Sequence, residues 1–90
     1  MKALRMIVHG TVQGVGFRYH TLQQAQKLQI LGYVRNLANG TVEILAEGPE
    51  KDLQTLLAWA KKGPQSARVT EVVCEDHSPQ GQLTTFEIRS

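Results

Sequence analysis

Cysteine, aromatic rings and long apolar runs are all scarce in this chain, and each scarcity removes a class of explanation. The only cysteine is Cys74, so no internal disulfide can form and a reducing compartment fits. No segment approaches the ~20 apolar residues that span a bilayer. The run Met1-Lys2-Ala3-Leu4-Arg5-Met6-Ile7-Val8 is broken by Arg5, with neither a signal-peptide core nor a small-residue cleavage site after one. A cytoplasmic location is the default expectation. The formal net charge is only +2, too small to argue for nucleic acid or a membrane surface. His9, His20 and His77 are too scattered to read as a metal site. No internal repeat beyond a doubled strand–helix–strand pattern, no low-complexity stretch and no linker is visible.

What is present is 90 residues, 41% hydrophobic and 20% charged, expected to form one domain over 1–90. A chain of this size buries roughly 60% of its unfolded surface, enough for one modest core. Its most informative stretch is Gly10-Thr11-Val12-Gln13-Gly14-Val15-Gly16-Phe17-Arg18, between a strand-like and a helix-like segment. Short glycine loops let backbone N–H groups turn toward one point. A helix starting there adds unpaired N–H groups and the positive end of its dipole. Arg18 contributes a planar, permanently charged fork suited to phosphate oxygens. The stretch reads as an oxyanion cradle. It is not a Walker A loop, since no Gly-Lys-Ser/Thr follows, nor a dinucleotide fingerprint, since the third glycine is absent.

Along the chain, Leu4, Met6 and Val8 alternate with Arg5, Ile7 and His9, which predicts a strand over 3–12. Phe17, Thr21, Leu22, Ala25 and Leu28 recur at helical spacing, predicting a helix from Phe17 to about Leu31 that ends on Gly32. Asn39-Gly40 between two strand-like runs signals a tight primed turn. Pro49 with Glu50 and Asp52 starts a second helix with the stripe Leu53, Leu56, Leu57 and Ala60, flanked by Trp59. Lys61-Lys62-Gly63-Pro64 stops it. Ala67–Asp76 reads as a fourth strand with Cys74 as a packing residue. Leu83–Arg89 reads as a last strand with Phe86 and Ile88 inward.

The order β-α-β-β-α-β plus a short final strand predicts an α+β, ferredoxin-like split βαβ fold, an antiparallel sheet with both helices on one face. Val42, Ile44 and Ala46 are expected to face the helices, and Glu43, Leu45 and Glu47 to face out. The first two strands of such a unit run the same way. Their ends would therefore bring Asn36 beside the glycine loop. An uncharged amide there can hold a water by donor and acceptor together, where a carboxylate would repel an anion.

Gly10–Arg18 and Gly32-Tyr33-Val34-Arg35-Asn36-Leu37-Ala38-Asn39-Gly40-Thr41-Val42-Glu43 resemble the two signature motifs of the acylphosphatases. Gly63-Pro64 through Val69 and Phe86-Glu87-Ile88 resemble later parts of the family pattern, so the resemblance covers essentially the whole chain. Asn39 stands where members often have Asp. The resemblance implies hydrolysis of acyl phosphates to a carboxylate and inorganic phosphate, with no metal and no cofactor. It implies Arg18 as the phosphate-binding arginine and Asn36 as the residue that positions water. The backbone amides of Gln13, Gly14, Val15, Gly16, Phe17 and Arg18 would complete the substrate cradle. The expected partner is a small-molecule acyl phosphate, with no nucleic acid or membrane, and the expected state is a stand-alone monomer. An RNA-binding module on this topology would need rings on its central strands, which Glu43, Leu45 and Glu47 do not supply. The alternative is a non-catalytic phosphate-binding or regulatory domain of the same fold; acylphosphatase-like domains also occur inside larger carbamoyl-transfer maturation proteins.

Overall fold

Alternation in the strands and 3.6-residue spacing in the helices resolve into seven elements. The computed structural model describes every residue from Met1 to Ser90. In chain order these are β1 (Lys2–Thr11), α1 (Phe17–Lys27), β2 (Leu31–Asn36), β3 (Val42–Gly48), α2 (Glu50–Lys62), β4 (Arg68–His77) and β5 (Phe86–Arg89). The sheet order is β4-β1-β3-β2-β5. β1 and β2 both pair antiparallel with β3. They therefore run the same way, and their C-terminal ends, Thr11 and Asn36, lie at one edge.

The sheet is mixed rather than wholly antiparallel, because β5 pairs in parallel with β2. Connectivity explains the difference. β4 ends with His77 opposite Ala3, and β5 begins with Phe86 opposite Gly32. Both points lie at the end of the sheet remote from Thr11 and Asn36. A strand entered from that end must run in the direction of β2. β5 is also shorter than expected, starting at Phe86 rather than Leu83.

Leu4, Met6 and Val8 of β1 and Val42, Ile44 and Ala46 of β3 are buried in one apolar cluster with Phe17 and Ala25 of α1 and Leu53, Leu56 and Ala60 of α2. Removing such side chains from water supplies the main stabilisation. The second helix follows its sequence signals closely. Pro49 caps it, Glu50 and Asp52 lie in its first turn, Lys61 and Lys62 in its last, and Gly63 follows, which places each charge favourably on the dipole. No helix is long and apolar enough to cross a membrane.

α1 departs from expectation. It stops at Lys27, and the left-handed residue that follows is Gln29 at φ 58°, not Gly32. The Ile30 N–H donates to Ala25 O at 2.9 Å, which turns Ile30 into the core at 2% exposure. Gly32 lies within β2, opposite Ala46 and Phe86. Asn39-Gly40 is also not a two-residue primed turn. Only Gly40 has positive φ, and the strands separate beyond the Asn36–Val42 pair. Asn39 shapes the loop through its side chain instead, Oδ1 accepting from the Thr41 N–H (3.2 Å) and Oγ1 (2.6 Å).

The outer face of β3 is not open. Glu43, Leu45 and Glu47 do lie there, but they are buried at 2%, 7% and 1% exposure. Arg5 and Arg35 close over Glu43, and the Gln80 N–H donates to Glu47 Oε2 at 2.9 Å. The segment crossing between the two edge strands thus covers the end of β3. Cys74 is exposed on β4 rather than packed. Partial burial, with Asp76 nearby, pushes its thiol above the ordinary value, which disfavours the thiolate.

Candidate active site

The loop between β1 and α1 is held by contacts that fix its backbone and leave its donors open. β1 carries a bulge between His9 and Gly10. At Gly10 a Cβ would run into the Arg68 carbonyl, so this glycine serves the close approach of β4 rather than the cradle. Val12 is buried at 1% exposure and anchors the start of the loop. Ser66 Oγ donates to Val15 O at 2.7 Å. Gln13 reaches away from the cleft, its Nε2 donating to Leu37 O and Thr41 O, each at 2.8 Å.

Gly14 and Gly16 both sit at φ 76°, a conformation that costs an L-residue about 1–2 kcal/mol. Gly16 is the N-cap of α1 and makes no side-chain capping bond, and no acidic residue lies in the first turn. The first-turn N–H groups are therefore left for an external acceptor. The turn itself is held by packing and hydrogen bonds. Phe17 is buried against Trp59 with ring centroids 5.4 Å apart. Thr21 Oγ1 donates to Phe17 O at 2.8 Å. Gly16 O accepts from the His20 N–H and lies 2.8 Å from His20 Nδ1, which must carry its proton to complete that bond.

These parts border a cleft of about 160 Å³ lined by Val12, Gly14, Gly16, Phe17, Arg18, Tyr19, Asn36 and Ile88. Arg18 is half-buried and takes part in none of the ion pairs, which join Lys2–Glu50, Arg5–Glu43, Arg5–Glu75, Arg35–Glu43 and Arg89–Glu87. Asn36, the last residue of β2, brings the other half. Its Oδ1 is buried and has no hydrogen-bond partner. A buried acceptor left unpaired costs about 1–3 kcal/mol, so it marks a place where a donor from outside the chain belongs.

Of the residues singled out from the sequence, Gly14, Gly16, Phe17, Arg18 and Asn36 line one cleft. Gln13 and Val15, expected to take part through their backbone amides, are not among the lining residues; the Gln13 side chain is turned to the β2–β3 loop and the Val15 side chain packs on the core. Ile88 was expected inward, yet it is 40% exposed and forms part of the rim. It sits near the end of the edge strand β5. The sequence reading missed Ile88 as a cleft residue, and only the pairing of Ile88 with Val34 would have placed it there. No three His, Cys, Asp or Glu side chains gather in a way that could hold a metal ion.

Fold and cleft together define a ferredoxin-like α+β protein with a cleft between the glycine loop and the end of β2 at one edge of its sheet. The family model for acylphosphatase matches residues 4–88, and the chain belongs to the acylphosphatase family, whose members are hydrolases of acyl phosphates. It is 46% identical over 82 residues to an acylphosphatase of Geobacter metallireducens, covering 91% of this chain and 88% of that one. The crystal structure of acylphosphatase from Bacillus subtilis superposes with a TM-score of 0.95 at 40% identity, over 100% of both chains. An acylphosphatase structure from Coxiella burnetii matches with a TM-score of 0.92 at 34% identity, over 98% of this chain and 92% of that one.

Proposed function

We propose that the chain hydrolyses acyl phosphates, with the phosphoryl group held by Arg18 and the amides of the Gly14–Arg18 segment and the attacking water presented by Asn36. The observation that carries this reading is that Asn36, whose buried Oδ1 has no partner, lines the same cleft as the unpaired Arg18. An acceptor without a partner suits a water O–H. A guanidinium without a partner suits phosphate oxygens. Each completes what the other leaves missing.

In the proposed reaction the water oxygen bonds to phosphorus as the bond from phosphorus to the acyl oxygen breaks. The carboxylate departs with the electron pair. One water proton passes to a phosphate oxygen, and the products are a carboxylate and inorganic phosphate. A carboxylate is a good leaving group, so no strong general acid is required. The protein's task is to align water with phosphorus and to stabilise the equatorial oxygens, which is positioning plus electrostatics. Asn36 supplies the first and the Arg18 cradle the second.

The test is turnover of benzoyl phosphate by the unmutated protein with a chelator present. Sustained release of phosphate is expected. Tight phosphate binding with no turnover would instead mean a non-catalytic phosphate-binding domain. Activity lost to the chelator would contradict the metal-free step. The pH–rate profile is expected to lack an essential enzyme base near neutrality.

A further inference from the structure

We infer that Gln13 is a positioning residue: its amide clamps the cradle loop to the β2–β3 loop and so fixes the distance between the bound phosphoryl group and the water held by Asn36. The inference rests on the proposed role of Asn36. Gln13 Nε2 lies 2.8 Å from both Leu37 O and Thr41 O, so its two N–H donors reach two backbone carbonyls. Leu37 is the residue after Asn36, and Thr41 stands just before Val42, the β-pairing partner of Asn36. The two carbonyls thus bracket the turn that begins at Asn36.

Those carbonyls also tie the turn to itself. Leu37 O accepts from the Gly40 N–H at 3.2 Å, and Thr41 O accepts from the Leu37 N–H at 2.9 Å. With the Gln13 amide added, each oxygen accepts two bonds, the full capacity of a carbonyl. Gln13 is the residue immediately before Gly14. No other side-chain hydrogen bond joins the 12–16 loop to the 37–41 loop. Hydrolysis needs the water on one loop to meet phosphorus on the other in line, and a misplacement of about 1 Å can cost about 100-fold in rate. Phosphate affinity depends on the cradle alone and has no such requirement.

The experiment compares Gln13→Met, which keeps the length and loses both donors, with Gln13→Ala and Asn36→Ala. It reads kcat for benzoyl phosphate and the inhibition constant of inorganic phosphate. Both Gln13 variants are expected to lose about 10- to 100-fold in kcat while phosphate inhibition stays within about twofold. In the Asn36→Ala background Gln13→Met is expected to have little further effect, since it acts through Asn36. Wild-type kcat in Gln13→Met would overturn the inference and reduce Gln13 to packing. So would a loss of phosphate inhibition in proportion to kcat, which would place Gln13 in the cradle. If Asn36→Ala itself kept normal turnover, the water-presenting role would fail, and the inference with it.

Discussion

Arg35 and Asn36 are neighbours on β2, yet their side chains meet opposite conditions. Strand alternation sends them to opposite faces. Arg35 Nε donates to Glu43 Oε1 at 2.5 Å, while Arg5 Nε takes Glu43 Oε2 at 2.6 Å and Arg5 Nη1 reaches Glu75 at 3.1 Å. Burial pushes the Glu43 carboxyl up, but the hydrogen bonds and charges of Arg35 and Arg5 outweigh it and hold it below the ordinary carboxylate range. Asn36 Oδ1 is also buried and has nothing. The same contrast separates the arginines. Arg5 and Arg35 are committed inside the fold, and Arg18 is not. Where polar groups complete one another they build the sheet face. Where they are left incomplete in one cleft, the proposed function gives their open positions to a substrate and a water.

The largest expected effect comes from removing the uncommitted arginine. Arg18→Ala deletes charge-assisted hydrogen bonds worth about 1.5–3 kcal/mol each. Turnover and phosphate inhibition are both expected to fall by about 100-fold or more, measured by steady-state kinetics. If phosphate inhibition survived, the contrast between Arg18 and the paired arginines would lose its meaning.

Glu43→Gln tests the committed side. It is expected to cost about 1–3 kcal/mol of stability at neutral pH, read by denaturant unfolding, with kcat within about twofold. Because the folded-state pKa of Glu43 is depressed, its contribution is fully present above the ordinary value of 4.5. It is lost as the pH falls below that value through the folded pKa. The gap between wild type and Glu43→Gln is therefore expected to close in acid. A constant gap down to the acid transition would mean that the paired arginines do not stabilise the carboxylate.

The smallest effect converts one condition into the other. Ile88→Glu places a carboxylate in the cleft that Arg18 lines. At an exposed position, stability is expected to change little. Phosphate inhibition is expected to weaken about tenfold through like-charge repulsion, and less at high salt. Unchanged inhibition would mean that the anion does not sit near Ile88.

How much of this could be read from the sequence follows the same division. Periodicity gave both helices and the inward faces of β1 and β3, because burial on one side repeats along the chain. The meeting of the glycine loop and Asn36 at one edge is legible because the split βαβ order brings two strand ends together. The cover over Glu43 was not. Alternation says which side a residue faces, whereas Arg5 and Arg35 meet Glu43 only through the register of two neighbouring strands. The side-chain contacts of Gln13 are not legible either, since nothing local shows that its amide reaches the Leu37 and Thr41 carbonyls. Gly32 was read as a helix stop because it follows a helical pattern, but the register sets it against β3, where the Leu45 carbonyl occupies the place of a side chain.

The central claim is that the cradle binds and Asn36 makes the bound state reactive. Its most direct test is Asn36→Ala, assayed for kcat with benzoyl phosphate and for inhibition by inorganic phosphate on the same preparation. A fall in kcat of about 100-fold or more is expected, with phosphate inhibition within about threefold of the unmutated protein. Near-normal kcat, or equal losses in both quantities, would contradict it.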